Sequence, residues 1–140
     1  MILIDSNVII DVIEGDDRWH GWSRAQIEAA SLQGRTCVSA IVVAEVAPSF
    51  PSLEQFVDEL AALLIDVELF TPEAGFLAGI AFRAYLRRRE AAHAKSLIAD
   101  FLIGGHAASL GATLLTRDPR FYSRYFPDLP LITPETHPHG

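Results

Sequence analysis

Four carboxylates stand out by where they fall along the chain: Asp5, Glu45, Asp100 and Asp118. Asp5 directly follows the apolar run Ile2-Leu3-Ile4, and Asp118 lies just beyond Leu114-Leu115-Thr116. Glu45 closes the run Ile41-Val42-Val43-Ala44, and Asp100 sits among Leu97, Ile98, Phe101 and Leu102. Acidic oxygens gathered in one cleft bind hard divalent cations such as Mg²⁺ or Mn²⁺. A cation held there sharpens a water nucleophile and offsets charge on a leaving oxygen, which hydrolysis of an anionic phosphodiester requires. Empty, the same cluster repels itself, so the grouping is costly unless cations are bound.

Each acid also has a plainer reading. Asp5 can be a turn residue, with Ser6 capping a first helix. Asp118 before Pro119 is an ordinary helix N-cap, because Pro suits the first helical position. Glu45 can be a surface acid on a helix. Asp100 is harder to dismiss, because the apolar residues around it imply a largely buried helix.

The elements that must position these acids follow from pattern. Strands are expected at 2–4, 35–38, 66–70, 112–115 and 131–132, and helices at 7–13, 18–32, 39–46 and 53–64. Further helices are expected from Pro72 through Tyr85, over 97–110, and for one turn after Asp118. Gly15 and Gly34 mark helix ends, and Thr71-Pro72-Glu73 marks a start. Residues 134–140 read as a loose tail to a single domain spanning 1–140. Strands alternating with helices give an α/β fold, a mainly parallel central sheet flanked by helices. Ligands of such sheets bind beyond the carboxyl ends of the strands, where Asp5 and Asp118 both lie. The topology permits the four acids to meet without requiring it.

Composition narrows the partners. Half of the 140 residues are hydrophobic, enough for one packed core. No apolar stretch is long enough to span a membrane, and Met1-Ile2-Leu3-Ile4 does not read as a secretion leader. Cys37, the single cysteine, excludes an intramolecular disulfide and a cysteine-built zinc site, and reads as a buried inert thiol. A reducing cytoplasm is the expected location. With 18 acids against 11 Lys and Arg, the formal charge of −7 argues against nucleic-acid binding by bulk electrostatics. A nucleic-acid ligand must then be held by metal ions or by a local basic patch. Arg83, Arg87, Arg88 and Arg89, with Lys95 nearby, form the one dense cluster. It reads either as a solvated helix end or as a phosphate-binding rim beside the acidic cleft.

Other features are bland. His106 reads as a packed or hydrogen-bonded structural residue, and Trp19 with Trp22 as a core stripe at helical spacing. No Gly-rich phosphate loop and no Gly-x-Ser-x-Gly elbow is present.

The acids lie within four segments that together resemble the PIN-domain family. Ile2-Leu3-Ile4-Asp5-Ser6-Asn7 is similar to its first motif, and Ser39-Ala40-Ile41-Val42-Val43-Ala44-Glu45 to its second. Asp100-Phe101-Leu102-Ile103-Gly104-Gly105-His106-Ala107 is similar to the third, and Thr116-Arg117-Asp118-Pro119-Arg120-Phe121 to the fourth. Order and spacing match across nearly the whole chain, and the size resembles the VapC toxins of toxin–antitoxin pairs. The resemblance implies an Mg²⁺- or Mn²⁺-dependent endoribonuclease, a homodimer, and inhibition by a small antitoxin. It implies Asp5, Asp100 and Asp118 as metal ligands, with Glu45 binding through water or orienting the nucleophile. Ser6, Asn7 and Thr116 would support the site by hydrogen bonds. Gly104-Gly105 departs from the family pattern and is expected to loosen its helix.

Two other classes use the same residues. A non-catalytic module would keep the fold and bind RNA or a partner without cutting; a phosphomonoesterase would turn over a simple monoester. If the arginine cluster is the phosphate rim, replacing Arg87 and Arg88 by Ala should weaken RNA binding and flatten its salt dependence. An unchanged salt slope would argue for the solvated helix end.

Overall fold

The apolar runs predicted as strands do pair, in one parallel sheet. The computed structural model describes residues 1–87 and 94–138, the side chains of 94–96 excepted. Its elements are β1 (Ile2–Ile4), α1 (Ser6–Glu14), α2 (His20–Gln33), β2 (Thr36–Ser39) and α3 (Ala40–Val46), then a 3-10 turn at Ala47–Ser49. They continue as α4 (Leu53–Ala62), β3 (Ile65–Glu68), α5 (Pro72–Arg87), α6 (Ala94–Leu110), β4 (Thr113–Leu115), α7 (Pro119–Tyr125) and β5 (Leu131–Ile132). The strand order is β3-β2-β1-β4-β5, and every pairing is parallel. The α/β class and the parallel sheet are as the alternation of elements requires. Among the described residues no helix is long and apolar enough to cross a membrane.

β1 and β2 are buried at every position, and β4 at all but its first residue. A strand covered on both faces does not alternate, and the polar ends of β2 are admitted because Thr36 Oγ1 donates to the Leu64 carbonyl at 2.8 Å and Ser39 Oγ lies 2.8 Å from His106 Nδ1. β3, at one edge, is exposed at Asp66 and Val67. The core joins the strands to Ile9 of α1, Trp22 and Ile27 of α2, Phe101 of α6 and Tyr122 of α7. Cys37 is fully buried in β2, and burial, with Glu68 nearby, pushes its thiol up to about 11, so it stays protonated and inert.

Several boundaries differ from expectation for local reasons. α4 stops at Ala62 because Leu64 takes a left-handed φ of 61° and turns the chain into β3. α7 extends over 7 residues rather than one turn. Its Phe121 and Tyr125 pack on Phe101 at centroid distances of 4.8 and 5.1 Å, and this burial sustains a helix too short to persist alone.

Two expectations are corrected. Of the tail, the stretch as far as His137 is tied down. Thr136 Oγ1 accepts from the Thr133 amide at 2.9 Å, and the His137 amide donates to the Thr133 carbonyl at 2.8 Å. The His137 carbonyl then accepts from the indole of Trp22 at 2.7 Å, so a buried aromatic ties the tail to α2. Nor do Gly104 and Gly105 loosen α6. A Cβ at Gly105 would lie 2.5 Å from the backbone nitrogen of Ala78 and 2.6 Å from the carbonyl oxygen of Ala74. One at Gly104 would lie 2.4 Å from the Phe126 ring. The glycines let α6 approach α5 and α7 more closely than any other residue would, and the packing gained outweighs their helix cost.

Gly105→Ala should therefore lower stability by about 2 kcal/mol or more, because backbone of α5 must move aside. Gly79→Ala, in α5 with open space around its Cβ, should instead raise it by up to about 1 kcal/mol. Thermal melts of the two variants check the contrast; equal losses would mean that close helix approach is not what selects glycine.

Candidate active site

β1 and β4 lie side by side where the strand order reverses, and the chains leaving their carboxyl ends diverge. The backbone nitrogen of Asp5 donates to the Leu115 carbonyl at 2.9 Å, so the pairing runs to the very mouth of that crevice. The Asp5 side chain is 2 % exposed and both of its oxygens are engaged. Oδ1 accepts from the Ser6 amide at 2.8 Å, which makes Asp5 the N-cap of α1. Oδ2 accepts from Thr116 Oγ1 at 2.7 Å, from the Tyr122 hydroxyl at 3.1 Å and from Asn7 Nδ2 at 3.4 Å. Burial raises the Asp5 pKa and these hydrogen bonds act against that rise. Tyr122 is held protonated in turn, its pKa raised by its own burial and by the carboxylates nearby.

The other three acids stand on different elements, with Asp100 in electrostatic reach of the rest. Asp100, in α6, is partly buried, and its carboxyl is pushed up to about 7 by loss of water and then by the charges of Asp5, Glu45 and Asp118. Glu45, exposed on α3, is raised by partial desolvation, against a lowering hydrogen bond from Ser6, and by Asp5. Asp118 occupies the N-cap position of α7 but makes no capping bond with its side chain. Its exposed carboxylate is thus not committed to the plainer role. The charges that act on Asp100 are all carboxylates. Among the described residues no three His, Cys, Asp or Glu side chains come together as a finished metal cage. The four acids share one electrostatic field without meeting at one point. An all-oxygen donor set of mutually repelling carboxylates suits a hard divalent cation, which would relieve the repulsion.

The sequence model of the PIN domain matches residues 2–127. The chain belongs to the PIN-domain family. Among curated proteins nothing matches the sequence. Among solved structures, this PIN domain is similar to a VapBC2 complex of Rickettsia felis bound to a promoter DNA fragment. The TM-score is 0.65 at 24% identity, covering 95% of this chain and 98% of that one. DNA-bound VapBC of Salmonella typhimurium gives 0.63 at 24% identity, covering 94% and 96%. VapBC-1 of nontypeable Haemophilus influenzae gives 0.64 at 22%, covering 95% and 98%. At such identities the likeness is one of fold.

The three residues expected to support the site of this PIN domain do converge on Asp5. Ser6 binds it through backbone and hydroxyl, Asn7 bridges it to Thr116, and Thr116 makes its shortest contact. Sequence reasoning missed Tyr122, Asp11 and Arg117. Tyr122 reaches Asp5 from α7, and only its neighbour Phe121 belongs to the motif read in the sequence. Asp11, 1 % exposed, is clasped by Arg117 through Nε at 2.6 Å and Nη2 at 2.9 Å and by Ser23 Oγ at 2.6 Å. The one available signal was spacing, since Asp11 follows Asn7 by four positions and shares its helix face.

The arginine cluster is not drawn into the cleft by any of these contacts. Arg83 and Arg87 are exposed on α5 and are not among the charges acting on Asp100; Arg88 lies outside the described residues. His106 is structural as read. It is fully buried, with Nδ1 2.8 Å from Ser39 Oγ and its ring edge-on to Phe70. Ser39 also caps α3, so this contact ties the helix of Glu45 to that of Asp100. Trp22 is core, and Trp19, partly exposed, lies beneath Arg117 at 5.2 Å.

The Asp100 shift sets a pH dependence. Its folded-state pKa of about 7 lies above the ordinary 3.8, so the folded protein binds the proton more tightly than the unfolded chain. Stability of the metal-free protein should fall as pH rises from near 4 through 7 and level off above. Asp100→Asn should accordingly raise the melting temperature by several degrees at pH 8 and change it little at pH 4. Equal shifts at both pH values would rule out charge as the source.

Proposed function

We propose that this PIN domain is an Mg²⁺- or Mn²⁺-dependent endoribonuclease that hydrolyses RNA phosphodiester bonds, as the toxin half of a type II toxin–antitoxin pair. The observation that carries the reading is the raised carboxyl of Asp100. Burial raises it first, and then the charges of Asp5, Glu45 and Asp118, from three other stretches of the chain, in a fold whose solved relatives include VapBC complexes. Asp5, Asp100 and Asp118 would hold the metal. Mg²⁺ or Mn²⁺, when bound, supplies the charge that sharpens a water nucleophile and offsets the leaving oxygen. Glu45, the exposed acid on α3, would orient that water and take its proton. Thr116, Asn7 and Tyr122 hold the Asp5 carboxylate in one orientation through hydrogen bonds, as outer-shell partners of a metal ligand do. Ser6 tempers Glu45. The working form would be a cytoplasmic homodimer silenced by its cognate antitoxin, and Arg83, Arg87 and Arg88 would attract RNA.

One observation favours a second reading, a PIN-fold module that binds RNA or a partner without cutting it: no finished cage stands among the described acids. The two readings separate on purified, antitoxin-free protein incubated with a structured RNA pool. The nuclease should cleave with Mg²⁺ or Mn²⁺ and stop when the metal is chelated. Asp5→Asn, which keeps the helix cap because Asn caps as well as Asp, should reduce cleavage about 100-fold or more. Sequencing the RNA ends against that variant would identify the target. RNA bound but never cut, with either metal, would favour the binding module.

A further inference from the structure

Arg117 stands between two site residues, Thr116 and Asp118, in a chain with few cations. Its position invites a phosphate-binding role, but its bonds point elsewhere. Nε and Nη2 both lie on the Asp11 carboxylate, at 2.6 and 2.9 Å, in the bidentate fork that a guanidinium makes and an ammonium does not. The Asp11 side chain is 2 % exposed, that of Arg117 26 %. Ser23 of α2 gives Asp11 a further bond at 2.6 Å, and the Trp19 ring lies against the guanidinium. The backbone amide of Arg117 donates to Asn7 Oδ1 at 3.2 Å. On either side of it, Thr116 Oγ1 bonds Asp5 and also accepts from the Asp118 amide at 3.1 Å.

The segment 116–118 is therefore fastened at two levels of one helix. Thr116 and the Arg117 amide meet the first turn of α1, at Asp5 and Asn7, and the Arg117 side chain meets Asp11 one turn further on. Asp118 has no capping bond of its own to fix it. We propose that Arg117 is a positioning residue: forked onto the buried Asp11 carboxylate, it locks the Thr116–Asp118 segment against α1 and so fixes where the Asp118 carboxylate stands. Its charge is consumed by Asp11 and is not offered to substrate. Asp11 and Ser23, which touch none of the four acids through any contact described above, belong to the same device. This deepens the ribonuclease reading and rests on it for the activity arm alone.

The test compares Arg117→Gln, Arg117→Lys, Asp11→Asn and the Arg117→Gln/Asp11→Asn double variant. In metal-free protein, exchange of the Asp118 amide hydrogen should quicken about tenfold or more in each single variant, with β1 and β4 amides unchanged. Mn²⁺ binding by calorimetry should weaken about 10- to 100-fold, and kcat on a fixed RNA cut by wild type should fall similarly. KM and salt slope should hold. Lysine, which keeps the charge and loses the fork, should behave nearer to glutamine than to wild type. The double variant should be no worse than the poorer single one, because both remove one interaction.

Three results would overturn the proposal. One is an unchanged Asp118 amide. Another is exchange quickened uniformly through the core, which would make Arg117 a general stabiliser. The third is a raised KM with a flattened salt slope, rescued by lysine and untouched by Asp11→Asn, which would make it a phosphate contact. Should the substitutions at 117 or 11 unfold the chain, Ser23→Ala, which removes one bond to Asp11, should quicken Asp118 exchange about two- to threefold; no change would sink the idea. If wild type binds no Mn²⁺ and cuts no RNA, the ribonuclease reading fails, and the exchange measurement still decides the role of Arg117.

Discussion

A carboxylate that is almost wholly buried at the junction of two strands governs this structure. Asp5 cannot be solvated by water where β1 meets β4, so the protein must solvate it instead. It does so with the amide of Ser6, the hydroxyls of Thr116 and Tyr122 and the amide side chain of Asn7. Those donors arrive from three different elements, and each must be brought to within hydrogen-bonding distance or the burial is not offset. The cap of α1, the exit of β4 and the seating of α7 together meet that one requirement.

Around this centre the protein tolerates a conflict that it does not resolve by itself. Asp100, partly buried and facing the charges of Asp5, Glu45 and Asp118, holds its proton to near neutrality. Among the described residues the charges that act on Asp100 are all carboxylates, and Arg117, next to Asp118 in the chain, is clasped by Asp11.

Packing fixes where the acids stand. Asp100 is carried by α6, whose height against α5 is set by Gly105 meeting the backbone of Ala74 and Ala78. The next residue, Phe101, anchors an aromatic group with Phe82, Tyr85, Phe121 and Tyr125. Phe121 and Tyr125 lie one turn apart on α7, and their seating on Phe101 aims Tyr122 at Asp5. His106, bonded to Ser39, joins the same helix to the start of α3. Hydrophobic contact thereby transmits the spacing of the polar site across three helices.

The sequence by itself determined the strands, the parallel sheet, and the four acids with Ser6, Asn7 and Thr116 beside them. The strands and the sheet were legible because they obey local rules, whereas Ser6, Asn7 and Thr116 were legible only through the resemblance of their segments to the PIN-domain motifs. A strand buried on both faces reads as an apolar run, as Ile2-Leu3-Ile4 does, and a residue following such a strand lies at the sheet's carboxyl edge. Tertiary structure alone decided what depends on distance through space. Tyr122 lies 117 positions from Asp5, and Arg117 lies 106 from Asp11, so no periodicity links either pair. The same holds for the glycines of α6, poor helix formers until a second helix lies against them, and for the tail, which looked free until Trp22 reached its carbonyl. Local pattern records which face of an element is buried; what that face touches is set only when the chain closes on itself.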